Sequence, residues 1–150
     1  MDTKRRKLNT ALFLVYCALM LWLLFDRSRS IEGVEYWEQV GMSLNLMPLR
    51  TVMRYVRLLE SSRPVLVKLA VINLFGNVIM FVPLGYFLPR LFGKMQKFWK
   101  TLLTTMLIII LVELIQLFTL VGSCDIDDLL LNLLGAAIGY GLYRMAPKTE

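Results

Sequence analysis

Three carboxylates stand at the start of an apolar stretch near the C-terminal end of the sequence. Asp125, Asp127 and Asp128 lie within residues 122–141, a segment with no other charged residue. At helical spacing Asp125, Asp128 and Asn132 occupy positions i, i+3 and i+7 and share one face, whereas Asp127 points elsewhere. A carboxylate at the mouth of an apolar helix is costly unless it has a partner, so these side chains are candidates for a functional site.

Similar polar residues interrupt the two preceding apolar stretches. Asn73 and Asn77 are one helical turn apart, and Glu113 is followed three residues later by Gln116. If successive helices cross a membrane in alternating directions, these side chains converge with the carboxylates at one end of a bundle. The predicted ligand-binding residues are Asn73, Asn77, Glu113, Gln116, Asp125, Asp128 and Asn132.

The chemistry of this cluster has several interpretations. Several carboxylates in one site require protons, an arginine partner or a bound ion, and all-oxygen ligands suit Mg²⁺, Ca²⁺ or Mn²⁺. No fixed ligand spacing is present, so a divalent cation is possible but no metal ligand is assigned. Alternatively, the amides only hold helix to helix, as buried carboxamides do in membranes.

No catalytic residue is predicted, because the chain has no histidine. Ser123 lacks a visible base, and Cys124 has no imidazole to activate its thiol. Cys17 and Cys124 match no metal-binding or redox spacing and are predicted to be free thiols. Catalysis by paired carboxylates stays open.

The composition indicates a membrane protein. Of 150 residues, 57% are hydrophobic, and the mean hydropathy is +0.62. The apolar stretches predict a single all-α transmembrane domain over residues 1–150. Its four helices span about residues 8–25, 65–89, 101–121 and 126–145. The first stretch could be a signal peptide, but no small-residue cleavage site follows it, so a retained helix is favoured.

The long connection between the first two spans contains a basic amphipathic segment. Arg50, Arg54 and Arg57 form a row opposite an apolar face. That face comprises Leu49, Val52, Met53, Val56 and Leu59. The pattern is typical of a helix in the membrane interface with its arginines among phosphates, although a helix capping the bundle fits equally. Nucleic acid is a poor partner because the row lies between membrane spans.

Basic residues predict the orientation. They concentrate in residues 1–7, 90–100 and 144–148, which four spans would place on one side of the membrane. Short basic segments favour the cytoplasm, so both termini are predicted to be cytoplasmic and the polar cluster to face outward. Basic residues within 27–68 oppose this orientation, but four acids in the same segment dilute them.

These segments also resemble the successive motifs of the VanZ-like family. The motifs read LNLMPL at 44–49, NVIMFVPLG at 77–85, ELIQ at 113–116 and GSCDIDD at 122–128. The matching positions are Asn45, Pro48, Asn77, Pro83, Gly85, Glu113, Gln116, Asp125, Asp128, Asn132 and Gly135. Some relatives have a basic residue just before the aspartate motif, where this sequence has Ser123 and Cys124.

The resemblance implies a small multi-pass protein of the bacterial cytoplasmic membrane, in a family named for a member linked to teicoplanin resistance. The leading hypothesis is a binding module for a lipid-linked cell-wall intermediate or a lipoglycopeptide at the outer leaflet, with membrane lipid as a further partner. One alternative is an intramembrane enzyme acting on a lipid head group through a carboxylate-held divalent ion. Another is a structural helper subunit of a different membrane protein.

Overall fold

The structure, a computed structural model, describes residues 3–25 and 31–146. Within these ranges the chain forms six α-helices, one short 3₁₀ turn and two short strands. The helices are α1 (Thr3–Phe25), α2 (Tyr36–Met42), α3 (Arg50–Leu59), α4 (Pro64–Leu91), α5 (Phe98–Phe118) and α6 (Ile126–Met145). The strands are β1 (Leu44–Asn45) and β2 (Cys124–Asp125), and the 3₁₀ turn is Gly93–Met95.

Three helices in the described part of the chain, α1, α4 and α5, are long and apolar enough to cross a membrane. They contain 23, 28 and 21 residues, and at about 1.5 Å per residue each can cross a hydrocarbon core of about 30 Å. The predicted all-α membrane fold is therefore confirmed. The fourth span is not confirmed, because α6 has 20 residues but carries Asp127, Asp128 and Arg144.

Close packing between α4 and α6 forms the centre of the molecule. Gly135 lies against the backbone carbonyl of Val78, and Gly139 lies against that of Val82. Residue numbers therefore increase in the same direction along the two helices. Small residues allow helix backbones to approach this closely in a membrane, where apolar burial against lipid provides no driving force.

The other two long helices pack against this pair. Tyr16 of α1 donates a hydrogen bond to the Met80 carbonyl of α4 at 2.9 Å. Near the C-terminal end of α5, Gln116 donates to the Leu24 carbonyl at 2.8 Å, so the C-terminal ends of α1 and α5 lie together. The apolar core between the helices comprises Met20, Phe81, Leu84, Leu88 and Ile109.

A two-stranded parallel pair, which the sequence analysis did not predict, connects distant parts of the chain. Leu44 pairs with Cys124 and Asn45 with Asp125. The Cys124 N–H also donates to the Ser43 carbonyl at 2.9 Å. The segment before α3 is thus held beside the segment before α6.

The amphipathic helix α3 contacts the rest of the protein mainly around Thr51, and most of its predicted apolar face is exposed. Thr51 is buried, and Val52, Tyr55 and Leu58 are half-buried. The remaining members of the predicted apolar face, Leu49, Met53, Val56 and Leu59, are exposed. Thr51 donates hydrogen bonds to the carboxylates of Asp127 and Asp125. In this orientation of α3, Val52 is the member of the predicted apolar face that packs against the protein.

Candidate functional site

The carboxylate of Asp127 sits at the N-terminus of α3. Asp127 is 0% exposed. Its Oδ1 accepts the Leu49 N–H at 2.5 Å, and its Oδ2 accepts those of Thr51 and Val52 at 2.7 and 3.0 Å. The first N–H groups of a helix have no partner within the helix, and a negative charge there is favourable. Asp127 thereby caps a helix remote in the sequence.

Asp125 organises a second set of contacts beside it. Its Oδ2 accepts from the Thr51 hydroxyl at 2.6 Å and from Asn45 Nδ2 at 3.0 Å. Asn45 Nδ2 also donates to Thr51 Oγ1 at 3.0 Å. Asp125 Oδ1 accepts the Asp127 N–H at 2.9 Å and so caps α6. This network joins β1, α3 and α6.

Two predicted residues from the other long helices reach the same end of the bundle. Glu113 Oε2 of α5 accepts the Asp125 N–H at 3.1 Å. Asn77 Nδ2 of α4 donates to Asp128 Oδ1 at 2.5 Å. Glu113, Asp125, Asp128 and Asn77 are therefore gathered at one end of the bundle.

The other predicted residues make different contacts. Asn73 donates to the Leu69 carbonyl of its own helix, and Gln116 reaches α1 at Leu24. Asn132 is 5% exposed, and its Oδ1 has no hydrogen-bond partner in the described part of the chain. Direct ligand contact by the seven predicted polar residues stays a prediction.

A cleft of about 1040 Å³ opens between α3 and the loops on either side of the strand pair. Arg50, Arg54 and Arg57 line it along α3. The rest of the lining is mostly apolar, with a few small polar groups. It comprises Met42, Ser43, Leu44, Asn45, Met47, Pro48, Leu49, Thr51, Met53, Leu58, Ser123 and Asp125.

The cleft carries a net positive charge. Asp125 is the one acid among its lining residues, and this carboxylate is 6% exposed and occupied by its internal donors. Arg54 lies over the Tyr55 ring, with Cζ 5.3 Å from the ring centroid. The three arginines are exposed, so their guanidinium groups are accessible to an anion.

The comparison with protein families supports the motif resemblance along nearly the whole chain. The family model described as VanZ/LLP1 matches residues 13–147. The chain belongs to the VanZ/LLP1 family. Over 145 residues it is 28% identical to Protein VanZ of Enterococcus faecium, covering 94% of this chain and 76% of that protein. No solved structure matches it.

The structure brings several motif positions of this VanZ/LLP1 chain into contact. Asn45 of the first motif bonds to Asp125 of the last, and Asn77 of the second bonds to Asp128. Gly85 lies against the Ala136 backbone, so the glycine motifs of α4 and α6 belong to their close packing. The separate sequence motifs thus form one connected structure.

Sequence reasoning missed Asp127 and Thr51 as members of the site. Asp127 was assigned to another face because the i, i+3, i+7 pattern treats α6 as an isolated helix. One signal was available: Leu49, which precedes α3, cannot cap it with a side-chain oxygen. A helix without a cap of its own requires an acceptor from elsewhere.

Two further properties of the site concern metals and thiols. In residues 3–25 and 31–146 no group of three or more Cys, Asp or Glu side chains is arranged to hold a metal ion. Cys17 and Cys124 are free thiols, as predicted. Burial, followed by the charges of Glu113 and Asp125, raises the pKa of Cys124 above its ordinary value.

Proposed function

We propose that this VanZ/LLP1 protein binds a lipophilic ligand in the arginine-lined cleft and thereby lowers susceptibility to teicoplanin-type glycopeptides. The observation that carries the proposal is the cleft itself, which combines accessible guanidinium groups with apolar side chains in the same lining. Cavities of roughly 300–1,000 Å³ accommodate drug-sized ligands, so the cleft is large enough for a lipid head group or a lipoglycopeptide side chain.

The carboxylates fit a positioning role in this proposal. Asp127 accepts three backbone N–H groups of α3 and its preceding residue, and Asp125 accepts from Thr51 and Asn45. These contacts fix the helix that carries the arginines. The guanidinium groups, in contrast, project from exposed positions and are available to a ligand.

The membrane location and orientation of the protein are part of the same proposal. Three membrane-length apolar helices support a multi-pass protein. We place it in the bacterial cytoplasmic membrane with both termini in the cytoplasm. The cleft then faces the outer leaflet, where lipid-linked cell-wall intermediates and glycopeptides meet.

Filling the cleft tests the proposal. Ser123→Trp places a large side chain in the lining, whereas Ser62→Trp adds the same group at an exposed position outside it. In a sensitive host protected by the wild-type protein, we expect Ser123→Trp to abolish protection against teicoplanin and Ser62→Trp to keep it. Membrane levels must match on immunoblots. Full protection by a normally accumulated Ser123→Trp protein would refute binding in the cleft.

Two isosteric variants test whether the polar cluster itself contacts the ligand. Glu113→Gln and Asp128→Asn remove charge but keep an oxygen that can accept from the Asp125 N–H and from Asn77. If the cluster only positions α3, both variants should retain protection. Loss of protection at normal protein level would instead place these carboxylates in ligand contact.

A further inference from the structure

The three arginines of the cleft are arranged to hold an anion with several oxygens. Arg50, Arg54 and Arg57 occur at i, i+4 and i+7 of α3, which separates the first from the last by about 10 Å along the helix axis. All three line the same cleft. A planar guanidinium binds phosphate through two parallel N–H groups, so this row offers several such donors to a phosphate and its esters.

The backbone of α3 cannot provide that binding. Its N-terminal N–H groups are already occupied by Asp127, an internal anion with no exposed surface. A phosphate at the end of a helix would normally use these groups. An anion beside α3 must therefore be bound by the side chains of this helix rather than by its N-terminal N–H groups.

The neighbouring surface suits a lipid rather than a free ion. Met42, Met47 and Met53 line the cleft beside the arginines, and each is exposed. Methionine side chains adapt to apolar partners of varied shape. A ligand that satisfies both parts of the lining carries a phosphate and an acyl or isoprenoid chain.

We infer that the cleft binds the phosphate head group of a membrane lipid, with Arg50, Arg54 and Arg57 on its oxygens and the methionines against its chain. This inference rests on the proposed binding function of the same cleft and adds the chemical class of the ligand. It requires bidentate guanidinium geometry, so positive charge alone is insufficient.

Binding of a soluble phospholipid tests the inference. The protein in dodecyl maltoside micelles, which contain no phosphate, is titrated calorimetrically with dihexanoyl phosphatidic acid. We expect the triple variant R50K/R54K/R57K to bind it about tenfold more weakly, since Lys keeps the charge but loses the fork of donors. The matched control R63K changes an exposed arginine outside the cleft lining and should bind like the wild type. Equal affinity of the triple Lys variant would overturn the inference.

Competition with the wild-type protein needs no variant and distinguishes the possible ligands. Inorganic phosphate competing as well as the lipid would overturn the assignment to a lipid. Decanoate binding as tightly as phosphatidic acid would overturn the assignment to phosphate. If phosphatidic acid fails to bind while Ser123→Trp still abolishes protection against teicoplanin, the inference falls and the proposed function stands.

Discussion

Asp127 has no exposed surface, and both of its carboxylate oxygens serve the first turn of a helix from another part of the chain. Leu49, whose N–H it accepts, has a φ of 63°, a left-handed conformation that is uncommon for a branched side chain. The hydrogen bond from Leu49 to Asp127 offsets part of that strain. One side chain therefore fixes both the start and the direction of α3.

Asp127→Asn should destabilise the site. The amide keeps one acceptor oxygen but directs an NH₂ group at backbone donors, so at least one buried N–H loses its partner. We expect a loss of about 1–3 kcal/mol, together with faster proteolysis of residues 44–60. Unfolding in mixed micelles and limited trypsin digestion measure the two effects. Glu60→Gln, at the exposed far end of α3, is the control, and equal behaviour of the two variants would contradict the capping role.

The raised pKa of Cys124 predicts slow alkylation near neutral pH. Because the thiolate is the reactive form, a higher pKa means less thiolate at a given pH, so the rate should keep rising to more alkaline pH than for an ordinary thiol. Iodoacetamide rates are compared in Cys17→Ala protein with and without the exposed control Ser62→Cys. If the alkylation rate of Cys124 reaches its half-maximum at the same pH as that of the thiol introduced at position 62, or at a lower pH, the site does not disfavour the thiolate.

At the scale of elements, contact between α4 and α6 depends on glycine. A Cβ at Gly135 would overlap the Val78 carbonyl, which is backbone and cannot rotate away. Gly135→Ala should therefore separate the helices and displace Asp128 from Asn77. Gly76→Ala is the matched control, since a Cβ there meets open space. In a helix interior that change should be neutral or stabilising by about 0.5–1 kcal/mol.

Thermal unfolding in detergent and protection against teicoplanin measure the outcome. We expect Gly135→Ala to lower both the unfolding midpoint and protection, and Gly76→Ala to lower neither. Equal stability of the two variants would mean that the helices tolerate a wider separation.

The helices were more predictable than their arrangement. Long apolar runs and flanking charges indicate helices near residues 8–25 and 65–89, where the structure has Thr3–Phe25 and Pro64–Leu91. The parallel strand pair could not be predicted, because each strand has two residues and is defined only by a partner about 80 residues away.

The candidate site was partly predictable, because the sequence shows which residues are charged but does not show which of them the fold brings together. Glu113, Asp125 and Asp128 stand out because charge in an apolar helix requires a partner. Asp127 could not be distinguished from a solvated first-turn acid until the position of α3 was known. The arginine row was visible as a helical pattern, whereas the cleft beside it is a property of the folded chain.

At the scale of the molecule, the helix directions predict a membrane topology. α4 and α6 run in the same direction, and the C-terminal ends of α1 and α5 meet near Leu24 and Gln116. The segment at Met95 follows the C-terminal end of α4, and the turn at Ser123 follows the C-terminal end of α5. Because α4 and α5 run in opposite directions, these two segments lie at opposite ends of the bundle. With the basic 90–100 loop inside, we expect a cysteine at residue 95 to be cytoplasmic and one at residue 123 to be external.

Labelling with a membrane-impermeant maleimide in intact cells measures this topology in a Cys17→Ala/Cys124→Ala background. Residue 123 should react in intact cells and residue 95 only after permeabilisation. The reverse pattern would place the cleft in the cytoplasm and refute the outer-leaflet part of the proposed function.

The capping of α3 by α6 also has a consequence for biosynthesis. Thr51 and Asp127 are 76 positions apart, so a ribosome finishes α4 and α5 before the acceptor for α3 exists. At about 5–20 residues per second, α3 waits several seconds without its cap. The arginines therefore reach their final positions only when the last helix joins the others. A nascent chain that stalls after residue 121 would contain three apolar helices and no formed cleft, and its uncapped segment would be open to membrane proteases.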